Sequence, residues 1–215
     1  MSDGSDTQNE NKNKQDKVKM RVLSATSYLL PLTSSIPPFW GGIMTLPFLF
    51  YLVGMIGNLQ AIMYPRDVLN LVAVFGSLLL IIYCIVYLWR KKGQTGLVTT
   101  GPYRFVRHPQ YFSVTIFTSI LTYQSVWILR NTRGIGWLNA NQTILLWIVM
   151  LVAYVLIAWV EEIHLSKLFG TTWEAYQNQV GFLIPFVNFK SRLFEGIVCL
   201  IIPIVILYTS MFFLT

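Results

Sequence analysis

The chain alternates between long apolar runs and short polar segments. Four uncharged runs have about the length of a membrane-spanning helix: Val68–Trp89, Pro109–Leu129, Ala140–Val160 and Gly196–Thr215. A helix needs about 20 apolar residues to cross ~30 Å of hydrocarbon. A longer run, Val22–Pro65, is polar and interrupted by prolines in its first part, so we place one further span within about Phe39–Met63. The pattern predicts an all-α integral membrane protein with about five transmembrane helices.

The composition supports the same class. Hydrophobic residues make up 54% of the 215 residues and charged residues only 12%, whereas charged residues are about a quarter of a soluble domain. Residues 1–21 are polar and contain no aromatic side chain. We therefore predict a disordered tail over residues 1–21 and one transmembrane domain over residues 22–215.

The basic residues predict how the chain is oriented in the membrane. With five spans, thirteen of the 16 Lys and Arg residues fall on the side of the tail. The other side has only Arg66, Arg130 and Arg133. Cytoplasmic segments are enriched in Lys and Arg, so the tail and the loops on its side are predicted to be cytoplasmic. The net charge of +7 is explained by this topology and by attraction to anionic lipid, and it does not indicate nucleic-acid binding.

One polar segment, "TGLVTTGPYRFVRHPQY" from Thr95 to Tyr111, leads into the third span. Gly96 and Gly101 allow the backbone to approach a ligand closely, and Pro109 suits the first turn of a helix. His108 and Tyr111 are three residues apart, which places them on one face of that helix. The composition of the segment is typical of a small-molecule site.

A second polar group is the adjacent pair Glu161 and Glu162, at the predicted cytoplasmic end of the fourth span. Ionisable groups beside a span are costly and are usually functional. The two carboxylates can accept hydrogen bonds from ribose hydroxyls or an ammonium group, and Arg104 and Arg107 are candidate ion-pair partners. Alternatively, these residues are membrane anchors and a salt-bridged helix end. Glu161 and His164 have the spacing of a bundle metal site, but no second such pair supports it, so no metal is predicted.

The two segments together, "GLVTTGPYRFVRHPQY" and "EEIHLSKLFGTTWEAYQNQVGFLIP", resemble the isoprenylcysteine carboxyl methyltransferase family and the related phospholipid methyltransferases. The likeness covers residues 93–187. It implies an enzyme that binds S-adenosylmethionine in a cytoplasm-facing pocket and methylates a lipid-like or prenylated acceptor within the bilayer.

By match of motif position, the resemblance also implies the residues of the site. The catalytic residues would be Arg104, Arg107 and Glu162. The cofactor would contact Thr95, Gly96, Leu97, Val98, Tyr103, His108, Pro109, Gln110, Tyr111 and Glu161. Substrate would contact Ile157, at a position where the prenylcysteine enzymes carry an arginine. An apolar side chain cannot pair with a substrate carboxylate, so prenylcysteine is not the favoured acceptor.

Two other functions are compatible with the sequence. The segment "FGTTWEAY" with its following "IP" is similar to the last part of sterol and steroid reductases, which use NADPH, although few basic residues are present to bind its phosphates. A catalytically silent membrane scaffold is the third possibility. We expect a short amphipathic surface helix near Trp173–Gln179, a loop over Ser125–Ala140, and a last span that serves packing or partner contacts.

Overall fold

The structure is a computed structural model that describes residues 37–58, 68–131, 137–185, 188–189 and 191–213. The tail predicted over residues 1–21 and the first part of the Val22–Pro65 run lie outside these residues. Six α-helices make up most of the described chain: α1 Pro37–Gly54, α2 Val68–Thr95, α3 Pro109–Asn131, α4 Ala140–Phe169, α5 Thr171–Gln177 and α6 Arg192–Phe213. The described residues contain no β-strand, and their single bridge pairs Val106 with Gly181 in parallel.

Four of these helices are long and apolar enough to cross a membrane. Their candidate spans are Val68–Lys91, Pro109–Asn131, Ala140–Phe169 and Arg192–Phe212. The apolar part of α1, Gly42–Gly54, is shorter than such a span. The prediction of an all-helical fold with apolar membrane-spanning helices is therefore confirmed for the described chain, with four candidate spans in it.

The chain divides into two compact units, Met1–Thr45 and Leu46–Thr215. In the described part of the first unit, the Thr45 hydroxyl donates a hydrogen bond of 2.9 Å to the Gly42 carbonyl. In the second unit, α3 is the central helix because it packs against α2, α4 and α6. Of the residues in its most apolar window, 56% are buried, against 17% for α2. The polar residues at the start of α3 are therefore held by helices on several sides.

The last turns of α3 and α4 differ from the predicted boundaries, whereas α4 begins at Ala140 as predicted. The loop predicted over Ser125–Ala140 begins later, because α3 continues to Asn131 through residues that include neither glycine nor proline. At its start, α4 is fixed by a capping box: Asn139 accepts from the Gln142 N–H, and the Gln142 side chain accepts from the Asn139 N–H. At its other end α4 runs past Val160 to Phe169, and Gly170, with a φ of 50°, allows the chain to turn there.

Candidate functional site

The start of α3 is positioned by a short extended pairing. The Arg107 N–H donates to the Gly181 carbonyl at 2.8 Å, and the His108 N–H donates to the Phe182 carbonyl at 3.3 Å. Pro109 then begins α3, as predicted. Because the segment after α5 holds the backbone on one side and the helix begins on the other, Arg107 and His108 are fixed at the entry to α3.

The two adjacent glutamates of α4 have different partners. Successive residues of a helix point about 100° apart, so Glu161 and Glu162 face different neighbours. Glu162 is buried and lies 3.1 Å from Arg107 Nε and 3.4 Å from His108 Nε2. Glu161 lies 3.3 Å from His108 Nδ1 and accepts a hydrogen bond of 3.2 Å from the Tyr111 hydroxyl. The ion pair expected between an arginine and this acid pair is therefore formed by Arg107.

A third carboxylate, Glu195 of α6, completes the cluster. It is buried, accepts a hydrogen bond from Arg107 Nη2, and accepts the Phe182 N–H at 3.0 Å. The sequence interpretation assigned α6 only to packing or partner contacts and did not include Glu195 in the site. The available signal was its position as a rare acid beside an apolar run.

The charges of this cluster do not balance. Burial by itself lowers the pKa of His108, but the carboxylates of Glu161 and Glu162 raise that pKa to about 9, so His108 is protonated at neutral pH. Three carboxylates against the two cations Arg107 and His108 leave a formal charge of −1. Glu161 is the carboxylate with an accessible surface, at 19% exposure against 2% for Glu162 and 3% for Glu195. The uncompensated negative charge is therefore available to a cationic ligand at Glu161.

Aromatic rings surround the histidine and the accessible carboxylate. The His108 and Tyr111 rings stack with centroids 5.5 Å apart, as expected for residues on one face of α3. The Tyr111 ring also lies 5.0 Å from that of Tyr154, and the Phe182 ring packs edge-on to His108 at 5.3 Å. Rings of this kind attract cations through their faces and exclude water from the ion pairs beside them.

The loop between α2 and α3 contains the glycines singled out in the sequence. Gly101 has a φ of 63°, and a Cβ there would lie 2.5 Å from Cζ of Tyr87. Any side chain at Gly101 would therefore be strained by its backbone conformation and would clash with Tyr87. Gly96 is exposed, Leu97 is half-buried and Val98 is buried. The side chain of Thr95 lies outside the described part of the structure.

Two hydrogen bonds of Tyr103 connect the loop between α2 and α3 to the start of α3 and to α5. The Tyr103 hydroxyl donates to Gln110 Oε1 at 3.1 Å, and the Tyr176 hydroxyl donates to the Tyr103 carbonyl at 2.6 Å. Burial raises the pKa of both tyrosines, so both remain neutral phenols. Trp173 and Tyr176 pack with Val180 against Leu97, Leu165 and Phe169. A short amphipathic helix was expected here, and α5 exposes Glu174 while it buries Trp173 and Tyr176 within the protein; its position at the membrane surface stays a prediction.

The remaining predicted residues are placed as follows. Arg104 is exposed and makes no ion pair within the described residues, so it stands apart from the charge cluster. Ile157 is half-buried, one helical turn before Glu161. Pro109 and Gln110 are buried at the start of α3. Over the described residues, no group of three His, Cys, Asp or Glu side chains could hold a metal ion.

No protein-family model, curated protein or solved structure matches this chain. The cluster combines a buried ion-paired arginine, a protonated histidine between two carboxylates, and an accessible carboxylate beside aromatic rings. This arrangement is suited to holding and orienting a cationic ligand, and the described residues of the cluster include no serine or cysteine nucleophile paired with its histidine.

Proposed function

We propose that the protein is an S-adenosylmethionine-dependent methyltransferase that acts on a lipid-like or prenylated acceptor within the membrane. The observation that carries this proposal is the excess carboxylate charge at Glu161, beside the aromatic ring of Tyr111. The motifs that contain these two residues are also the ones that resemble isoprenylcysteine carboxyl methyltransferases.

The residues of the cluster fit a sulfonium cation. An accessible carboxylate in a cluster with a net negative charge and the face of an aromatic ring both attract such a group. In this proposal Glu161 and Tyr111 hold the cation, and His108 fixes the Glu161 carboxylate. When bound, S-adenosylmethionine would supply the electrophilic methyl group. The protein's part is to position the reactants and exclude water, and it requires no nucleophilic side chain.

The proposal includes a topology of five spans with the site facing the cytoplasm. The apolar helix α1 would supply the fifth span, by tilt or local thinning of the bilayer. The bias of Lys and Arg toward the side of the tail supports a cytoplasmic location for the loop before α3 and for the end of α4. Both carry residues of the charge cluster, so the cluster would lie at the cytoplasmic face.

The acceptor is expected to be apolar or amphipathic. Ile157 lies one turn before Glu161, on the same face of α4, and it offers a hydrocarbon surface. Transfer from labelled S-adenosylmethionine to a prenylcysteine analogue, phosphatidylethanolamine and a total lipid extract should be assayed side by side. Methylation of a lipid is the expected result. Methylation of the prenylcysteine carboxylate alone would show that a group other than Ile157 sets acceptor choice.

The cofactor is tested by calorimetry on the full chain in dodecyl maltoside, with S-adenosylmethionine, S-adenosylhomocysteine and NADPH as separate ligands. We expect binding of the first two. Glu161→Gln should weaken S-adenosylmethionine binding about ten- to hundredfold, because a hydrogen bond to a charged group contributes ~1.5–3 kcal/mol. Glu174→Gln is the matched control, since Glu174 is an exposed acid of α5. Binding of NADPH without any response to S-adenosylmethionine would overturn the proposal in favour of a reductase.

A further inference from the structure

A polar cleft of about 280 Å³ has Arg107 in its wall. The rest of its lining comes from α5, the start of α6 and the segment between them, and it includes Glu174, Gln177, Asn188, Phe189 and Arg192. Two guanidinium groups and several amides therefore meet in one opening, next to the charge cluster but formed mainly by other residues. No role was assigned to this cleft from the sequence.

The buried arginine in the wall has a donor without a protein partner. Arg107 is 3% exposed. Its Nε pairs with Glu162 and its Nη2 with Glu195, whereas Nη1 has no hydrogen-bond partner among the described residues. A buried donor is costly when it is left unpaired. An acceptor oxygen supplied by a ligand in the cleft would satisfy it.

The second arginine lies at the open side of the cleft. Arg192 is exposed, and its Nη2 donates a hydrogen bond of 3.0 Å to Gln177 Oε1. A guanidinium has five N–H donors, so others remain for a ligand. The other end of the Gln177 amide donates to Glu162 at 3.1 Å. Gln177 therefore connects the exposed arginine directly to the charge cluster.

We infer that this cleft binds a phosphate group, and that this phosphate belongs to the methyl acceptor. The planar fork of an arginine matches phosphate oxygens in two parallel hydrogen bonds. Arg192 is also the first residue of the candidate span in α6, and a basic residue at the end of such a span is expected at the level of lipid headgroups. The assignment to the acceptor rests on the proposed function, and it pairs a headgroup contact at Arg192 with a hydrocarbon contact at Ile157.

The test uses the full chain in dodecyl maltoside and three probes: inorganic phosphate, dihexanoyl phosphatidic acid, and dihexanoylglycerol, which lacks the phosphate. Calorimetry is run on the native chain and on Arg192→Gln. Arg130→Gln is the matched control, because Arg130 is an exposed arginine at the other end of α3. Binding of S-adenosylhomocysteine is measured in parallel on every variant.

We expect phosphatidic acid to bind and dihexanoylglycerol not to bind. Arg192→Gln should weaken phosphatidic acid binding roughly ten- to hundredfold, with binding of S-adenosylhomocysteine unchanged. Glu174→Gln should instead strengthen phosphatidic acid binding, because this substitution removes a negative charge from the lining of the cleft. A misfolded variant would not bind phosphatidic acid more tightly. Tighter binding of phosphatidic acid than of inorganic phosphate identifies a lipid as the source. Equal binding identifies free phosphate and overturns the assignment to the acceptor.

The cleft assignment is wrong if neither phosphate probe binds or if Arg192→Gln binds as the native chain does. If S-adenosylhomocysteine still binds, those results do not contradict the proposed cofactor. Phosphate binding without any S-adenosylhomocysteine binding would support the cleft as a phosphate site and would overturn the proposed methyl transfer.

Discussion

The helix α3 carries buried polar groups near both of its ends, and the two groups are of different kinds. Its start is part of a cluster of charges formed by Arg107, His108 and three glutamates. Farther along, its buried polar groups are neutral hydroxyls. Thr122 Oγ1 lies 2.8 Å from the Tyr51 hydroxyl, Ser125 Oγ accepts from Asn58 at 3.0 Å, and Thr118 Oγ1 accepts from Trp147 Nε1 at 3.2 Å. We refer to these contacts as the neutral network.

The difference indicates which end is suited to binding a ligand and which end is suited only to holding helices together. Hydroxyls and amides satisfy one another at a small net gain and leave no charge behind. Buried charges are stable only when paired, and the cluster has one carboxylate more than it has cations, with Glu161 as its accessible carboxylate. Function is therefore expected at the charged end, while the neutral network holds Tyr51, Asn58 and α4 against α3.

Removing the central cation should have the largest effect. Arg107→Ala leaves Glu195 buried without its cation and Glu162 with His108 alone, and breaking a buried ion pair in this way costs ~3–5 kcal/mol. The free energy of unfolding can be measured by titration with dodecyl sulfate in mixed micelles. Arg104→Ala is the control: Arg104 is an exposed arginine, so its loss should change the free energy of unfolding little. A loss below ~1 kcal/mol for Arg107→Ala, typical of an exposed ion pair, would contradict the description of a buried cluster.

The charged end should also make the stability of the protein depend on pH, because it contains His108. The pKa of His108 is raised from 6.5 to about 9 in the folded protein by Glu161 and Glu162 of α4, with Tyr111 of α3 stacked on its ring. Its protonation therefore stabilises the fold fully below 6.5, and this contribution is lost as the pH rises through about 9. The melting temperature should fall over that range.

The variant His108→Gln provides the control for this pH dependence. The fall in melting temperature with rising pH should be smaller in His108→Gln than in the native chain. Identical pH profiles for the two proteins would show that other groups cause the fall and that His108 is not held protonated.

Breaking the neutral network should have the smallest effect. Tyr51→Phe removes one hydroxyl that pairs with Thr122, at a cost of about 0.5–1.5 kcal/mol, and should leave binding of S-adenosylmethionine unchanged. Tyr208→Phe is a matched control, because Tyr208 is exposed. A loss of cofactor affinity in Tyr51→Phe without loss of stability would mean that the two ends of α3 are not separate in function.

The apolar runs predict most of the fold because their length and composition are local properties. The start of α3 at Pro109 and the meeting of Arg107 and His108 with Glu161 and Glu162 followed from the motifs. The end of α3 was predicted in two ways, since the apolar run extends to Leu129 whereas the loop was expected from Ser125, and no glycine or proline in this segment ends the helix. Packing holds the first part of this segment in the helix, as Ser125 and Val126 are buried.

Two parts of the site depend on tertiary contacts that the sequence does not show. Glu195 is separated from Arg107 by 88 positions, and a single acid beside an apolar run does not reveal which cation it meets. Trp173 and Tyr176 suit a membrane surface equally well by composition. Their burial depends on where Leu97 and Phe169 lie, which is a result of how α2 and α4 end.

The contact between Arg107 and Glu195 has a consequence for how the protein is made. Synthesis proceeds from the N-terminus at roughly 5–20 residues per second, so Arg107 leaves the ribosome seconds before its partner 88 positions later. Until α6 is inserted, Arg107 can pair only with Glu162, and the Phe182 N–H lacks its acceptor. The charged end of the bundle thus reaches its final form only after α6 enters the membrane. A chain held before that step carries the charges of Arg107, His108, Glu161 and Glu162 without Glu195. It therefore lacks the carboxylate that joins Arg107 to the Phe182 N–H after α5.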